Sequence, residues 1–132
     1  MRAIIADTGP LYAAIDVDDQ YHQRSKIQIQ RINTEKLTIL VPFPVYLETY
    51  NLLLYRLGTE QAIGFAKDCI GSVYFINPSQ EQYTAAAEKA ACFPDQKITL
   101  CDAVTAILSE EMKLAVWTYD YHFDIMQIQV WC

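Results

Sequence analysis

The sequence predicts an α/β fold of three layers, with a central, mainly parallel sheet between two sets of helices. Three observations predict it. Short apolar runs alternate with longer amphipathic stretches, as in chains that build parallel sheets through helical crossovers. Gly, Pro, Asn and Asp gather where one pattern gives way to the next. A length of 132 residues, with 52% hydrophobic and 20% charged residues and few Gly or Pro, is globular in composition and suits one sizeable core. Residues 1 to 132 are therefore expected to form a single domain.

The elements follow in order. Residues 2 to 6 (RAIIA) read as a buried strand, stopped at Asp7-Thr8-Gly9-Pro10, where Pro10 can open a helix. Asp19 to Ile32 is a polar, partly amphipathic helix whose Arg24, Lys26 and Arg31 supply a basic side. Residues 37 to 41 (LTILV) form the second strand, and Pro42 and Pro44 start a long helix that Gly58 can terminate. A further helix begins after Thr59. Residues 72 to 76 (SVYFI) are the third strand, Asn77-Pro78 marks a crossing, and an Ala- and Glu-rich helix runs from about Ser79 to Ala91. Thr99 to Asp102 has the spacing of a capping box, with Asp in the usual place of Glu, and leads into an apolar helix. Residues 114 to 118 (LAVWT) and 128 to 131 (IQVW) complete the sheet.

A net charge of -6 argues against broad electrostatic attraction to nucleic acid. It is not decisive, because a cation bound among converging acids would cancel much of the local charge. Cys69, Cys92, Cys101 and Cys132 are separated by 23, 9 and 31 residues, which fits neither a zinc site nor a small disulfide scaffold. They read as reduced thiols. The start, MRAIIADTG, lacks the long apolar region of a signal peptide, and no stretch approaches a membrane span. A cytoplasmic protein is the expectation.

In open parallel sheets a ligand site lies outside the carboxyl ends of the strands, at a topological switch point. Asp7 and Asp120 follow strands, and Asp102 and Glu48 occupy early turns of helices that can begin at the same edge. Gathered carboxylates repel unless protons or a hard divalent cation neutralise them, so a shared pocket would imply Mg²⁺ or Mn²⁺. Each acid also has a plainer role. Asp7 can cap the helix that Pro10 opens. Glu48 can lie on an exposed face, although its segment VYLETYNLLLY is mostly apolar and unpaired burial would cost several kcal/mol. Asp102 can serve the helix dipole, and Asp120 can cap the turn Tyr121-His122-Phe123, with Asp124 its rival for any functional role.

The set, in its order and spacing, carries a resemblance that no single acid does. IIADTGPLYAAID, VPFPVYLETYNLL, LCDAVTAIL and WTYDYHFD, spread over nearly the whole length, resemble the PIN-domain ribonucleases, and especially the single-domain VapC-like toxins of bacterial toxin–antitoxin pairs. Gly9 stands where that family frequently has Ser, and the acidic balance is unusual for an RNA enzyme. The resemblance implies a metal-dependent endoribonuclease that hydrolyses RNA phosphodiester bonds. One or two Mg²⁺ or Mn²⁺ ions would be held by Asp7, Glu48 and Asp102, with Asp120 at a second site and Thr8 and Thr118 orienting ligands or water. The fourth acid varies in that family. As hydroxyls at turns, Thr8 and Thr118 fit ordinary hydrogen-bonding roles equally well.

His22 and His122 have no ligand-spaced His or Cys partner, so surface or turn roles are expected. Tyr119, Tyr121 and Phe123 can stack on bases but more naturally pack around the last turn, and Arg24, Lys26 and Arg31 more naturally form a solvated face than a phosphate contact. The helix from Val45 to Leu57 is apolar over most of its circumference, which leaves surface for a homodimer or an antitoxin unless its own domain covers it. Other readings are weaker. A haloacid-dehalogenase-like phosphatase needs a second Asp at position 9, which is Gly, and a receiver-like signalling domain needs a late Lys that does not follow Lys113. A degenerate PIN domain that binds RNA or protein without cutting is opposed by the presence of all four acids.

Overall fold

The computed structural model describes residues 2–132. Five strands form one sheet of order β3-β2-β1-β4-β5, and every pairing is parallel. The strands are β1 (Ala3–Ala6), β2 (Thr38–Pro42), β3 (Tyr74–Ile76), β4 (Val116–Trp117) and β5 (Val130–Trp131). The helices are α1 (Thr8–Ile15), α2 (His22–Glu35), α3 (Phe43–Leu57), α4 (Thr59–Cys69), α5 (Gln80–Ala91), α6 (Leu100–Met112) and α7 (His122–Ile125).

The two-residue period of the strands decides which side chain faces which layer. Ile5, Leu40 and Val116 point to one face, where Ala106 and Leu108 of α6 and Phe123 of α7 cover them. Ile4, Ala6, Val41 and Trp117 point to the other, against Ile32 of α2 and Val45 of α3. α5 packs along α6, and α4 along α3. This is the three-layer arrangement that the alternating pattern predicts, and each central strand is apolar on both faces because both are covered.

Several boundaries move for local reasons. The second helix begins at His22 instead of Asp19, because the Asp19 carboxylate accepts the Tyr21 N–H at 2.8 Å and its carbonyl accepts the His22 N–H at 3.0 Å. That helix continues to Glu35 and stops at Lys36 in the left-handed region, φ 56°. α1 opens at Thr8, with Pro10 inside its first turn, where the missing N–H costs nothing. Gly58, at φ 103°, separates α3 from α4 as a conformation that side chains rarely adopt. The last two strands are shorter than expected, two residues each.

The order of strands places a switch point beside β1. From β1 the chain steps outward through β2 and β3, then returns to the opposite edge of β1 with β4 and continues to β5. The carboxyl ends of β1 and β4 thus lie side by side with connections leaving in opposite directions, the position at which such sheets open a crevice.

Candidate active site

Register fixes the floor of that crevice. Ala6 pairs with Trp117, and the Asp7 N–H donates to the Trp117 carbonyl at 2.9 Å. Asp7 and Thr118 are therefore neighbours one residue beyond the ladder, and the Thr118 hydroxyl donates to Asp7 Oδ2 at 2.8 Å. The same hydroxyl accepts the Asp120 N–H at 3.0 Å, which folds the chain after β4 back toward β1.

The plain role considered for Asp7 holds in position only. It stands at the N-cap of α1, yet its side chain makes no capping hydrogen bond. Its Oδ1 is buried with no partner, as is the hydroxyl of Thr8 beside it. Burial pushes the Asp7 carboxyl up to about 6, with smaller contributions from the Asp120 and Glu48 charges, and the Thr118 hydrogen bond only partly offsets this.

Asp102 keeps its plain role and adds another. Thr99 caps its N–H at 3.0 Å in the first turn of α6, without the reciprocal bond of a full capping box. Its carboxylate is nonetheless buried and faces a cavity of about 500 Å³ whose walls also carry Asp7, Glu48 and Asp120. Burial raises its carboxyl to about 8, and the charges of Asp7, Asp120 and Glu48 push in the same direction. Glu48 is half-buried in α3, which follows β2 without a loop, so that its early turns stand at the carboxyl edge of the sheet. Asp120 Oδ1 accepts the His122 N–H at 2.9 Å, the turn role foreseen for it, while the residue also lines the cavity. Asp124 is exposed on α7 and is not part of that wall.

Two groups in the site escaped the sequence reading. His122, expected in a turn or on the surface, does begin a helical turn, but its Nδ1 lies 3.3 Å from Asp120 Oδ1 and 3.9 Å from Asp102 Oδ2. The signal that could have found it is its position two residues after Asp120, because an Asp-initiated turn folds that side chain back over the carboxylate. Arg56, at the far end of α3, lines the cavity and stacks over Tyr12 with 5.1 Å between guanidinium and ring centre. Helical periodicity places it on the face of Glu48, two turns on.

Of the aromatic and basic residues considered, Phe123 is wholly in the core. Tyr119 lines the cavity, packs against Tyr21 at 4.7 Å and carries the Arg24 guanidinium over its ring. Arg31 pairs with Glu35 and stacks on Trp131, away from the site, and Lys26 is exposed. The four cysteines are free, and burial beside Glu48, Asp7 and Asp102 drives the Cys101 thiol well above its ordinary range.

The donor set fits a divalent cation. An unpartnered buried carboxylate oxygen on Asp7 and a second carboxylate, on Asp102, raised by burial and then by its acidic neighbours are both relieved by one positive charge among them. Donor atoms of Asp102, Asp120 and His122 all lie within 4.8 Å of one another, close enough to share an ion.

No protein-family model matches the sequence, and no curated protein matches it either. Solved structures do match in fold, and these neighbours are VapC toxins, which are PIN-domain proteins. Mycobacterium tuberculosis VapC20, a sarcin–ricin loop cleaving toxin, superposes with a TM-score of 0.84 over 95% of this chain and 95% of its own, at 19% identity. VapBC2 from Rickettsia felis, bound to a fragment of promoter DNA, gives 0.74 over 97% and 96% at 13% identity. VapBC-1 from nontypeable Haemophilus influenzae gives 0.73 over 98% and 96% at 16% identity. At these identities the likeness is one of fold.

Proposed function

We propose that this chain, built on the fold of the VapC toxins, is a Mg²⁺- or Mn²⁺-dependent endoribonuclease and the toxin of a type II toxin–antitoxin pair. The observation that carries the reading is the cavity at the β1/β4 switch point, where Asp7, Glu48, Asp102 and Asp120 converge and a buried Asp7 oxygen has no partner. The three neighbouring toxin structures support the same assignment at the level of fold.

Asp7, Glu48 and Asp102 would hold the cation, with Asp120 at a second position. When bound, the cation polarises the scissile phosphate and acidifies an attacking water. The chain's own residues do the positioning. Thr118 clamps one oxygen of Asp7 and leaves the other without a partner, and through the Asp120 N–H it ties the fourth acid to the same hydroxyl. Thr8 is a residue of the same pocket, its hydroxyl buried beside Asp7, and would orient a ligand or a water there. Arg56 and Arg24 offer positive charge near an otherwise acidic opening, and the exposed Tyr121 on the same cavity offers ring surface to unpaired bases.

An antitoxin partner is supported by the VapBC complexes among the structural neighbours and by exposed apolar side chains on α3 and α4. Leu47 is 59% exposed, Tyr55 84%, Ile63 42% and Ile70, just beyond α4, 71%. A homodimer would use the same kind of surface. A monodisperse monomer by light scattering, with nothing co-purifying, would count against both. Among the described residues no helix is long and apolar enough to cross a membrane.

Incubation of RNA with the protein and Mg²⁺, with EDTA, and with Asp7→Asn or Asp102→Asn tests the activity directly. A sarcin–ricin loop RNA, the target of the tuberculosis toxin, is the first substrate to try. Cleavage should require the metal and fail in both variants; undiminished cleavage by both would remove the proposed site.

A further inference from the structure

Charge around the cavity is lopsided. Asp7, Asp19, Glu48, Asp102 and Asp120 line it, and Arg56 is the one basic side chain among the described residues of its wall. The chain has four arginines, of which Arg2 and Arg31 are both paired with Glu35. Arg56 and Arg24 make no ion pair among the described residues. Each lies instead over a tyrosine ring, Arg56 at 5.1 Å from the centre of Tyr12 and Arg24 at 4.7 Å from that of Tyr119. Both rings line the cavity, and both are themselves fixed. The Tyr12 hydroxyl donates to Asp16 Oδ2 at 2.6 Å, and the Tyr119 hydroxyl donates to Oε1 of the buried Gln28, which also accepts the Trp117 indole N–H. Each guanidinium thus has a set position and donors not committed to a carboxylate, an arrangement that suits a phosphate.

We propose that Arg56 and Arg24 are positioning residues that hold two phosphates of one unpaired RNA strand, one on each side of the Asp120 turn, and so draw the strand between them across the acids. The inference rests on the ribonuclease reading of the cavity and adds how the substrate is held there. Arg56 follows Glu48 on α3 at a rise of about 12 Å along the helix axis, so it meets a phosphate beside the one at the acids. Arg24 belongs to an adjoining hollow of about 200 Å³ that shares Tyr119, Asp120 and Tyr121 with the cavity. Asp120 therefore stands between the two cations. Tyr121, 63% exposed and common to both hollows, offers ring surface to a base of the same strand, which an unpaired strand can present and a duplex cannot. With a net charge of -6 the surface as a whole repels RNA, so affinity has to come from cations fixed at the site.

A short, unstructured, fluorescein-labelled RNA oligonucleotide is the probe. Fluorescence anisotropy in EDTA reads its binding to the full chain without cleavage, over a series of KCl concentrations. Arg56→Gln and Arg24→Gln should each weaken binding about tenfold at low salt and flatten the plot of log affinity against log salt by about 0.7, the loss of one phosphate contact on a single strand. Arg56→Lys and Arg24→Lys should restore the slope but only part of the affinity, because a point charge replaces a planar fork. A merely structural role would not produce that split. Lys26→Gln, at an exposed position of α2, is the control for net charge and should leave the slope unchanged. A wild type that fails to bind the RNA, an unchanged slope in either glutamine variant, or an equal drop in Lys26→Gln overturns the proposal. So does displacement of the RNA by poly-glutamate as readily as by unlabelled RNA, which would make an acidic peptide the ligand. The two readings fail separately. Metal-dependent cleavage with unchanged slopes removes the two arginines and leaves the nuclease, whereas RNA bound through both arginines but never cut with Mg²⁺ or Mn²⁺ removes the nuclease and leaves the grip on RNA.

Discussion

The two walls of the cavity are built on different principles. On the β1/β4 side, Asp7 and Thr118 are set by strand register, one residue past a hydrogen-bonded ladder, and both are almost fully buried. On the α6/α7 side, Asp102 and Asp120 are set by a helix start and a tight turn, and Asp120 keeps about a third of its side chain in solvent. The first wall is stiff and holds one carboxylate with one clamp. The second holds two acids, with the His122 Nδ1 3.9 Å from Asp102 and 3.3 Å from Asp120. A site with a fixed anchor and a more yielding partner can bind an ion tightly at one position and exchange at the other.

The comparison breaks most sharply at its anchor. Asp7→Asn should lower metal-dependent cleavage by about a hundredfold or more, at least the upper end of what even outer partners of a metal cost. It should also raise the melting temperature of the metal-free protein, because it removes a carboxylate whose charge is buried against its neighbours. A variant that lost activity by losing stability would show the opposite thermal shift, so paired activity and melting measurements separate the two causes.

Next comes the clamp. Thr118→Val keeps the shape but deletes the hydroxyl that serves Asp7 and Asp120 together. Metal affinity should fall about 10- to 100-fold, and the fold should lose about 1–3 kcal/mol from the unsatisfied groups left behind. Thr118→Ser should recover most of both. Calorimetric titration with Mn²⁺ and denaturant melts read the two effects, and unchanged affinity in the valine variant would mean that Asp7 is held by its own burial alone.

Protonation separates the walls by pH. Folding raises the carboxyl of Asp7 to about 6 and that of Asp102 to about 8, above an unfolded value near 4. The folded state then binds more protons than the unfolded one, so this contribution to stability is complete below about pH 4 and is lost as pH rises through 6 and on toward 8. The metal-free protein should melt at a lower temperature at pH 8.5 than at pH 5, and saturating Mg²⁺ should cancel or reverse the difference. Metal binding should release protons, measurable in weakly buffered solution, and a release confined to the lower part of the range would assign it to Asp7 alone.

How much of this was legible in the sequence follows the same division. The α/β/α fold and the strand-end position of Asp7 could be read because apolar runs and Gly-Pro punctuation are local signals. The role of Thr118 could only be guessed, since its bond to Asp7 spans 111 residues and depends on β4 lying beside β1. Asp7 does take the N-cap position read for it, but its side chain makes no capping hydrogen bond and instead accepts the Thr118 hydroxyl across the sheet. His122 was passed over because sequence spacing searches for partners along the chain, whereas its neighbours include Asp102, which reaches it from another helix. Likewise the shift of α2 from Asp19 to His22 followed from one Asp side chain that made a turn instead of a helical start.

Asp120 and Asp124 supply the smallest effects and the finest distinction. Asp120→Asn retains an oxygen to accept the His122 N–H, so the turn and the start of α7 should persist while the charge goes. A loss of about tenfold in metal affinity with little change in melting is then the signature of a carboxylate that matters as a ligand. Asp124→Asn should change neither affinity nor cleavage, and stability by no more than about 0.5 kcal/mol, since the residue is exposed and outside the cavity wall. Should the two variants exchange behaviours, the more yielding wall would have to be rebuilt around α7, with Asp120 reduced to the turn cap that its hydrogen bond already makes it.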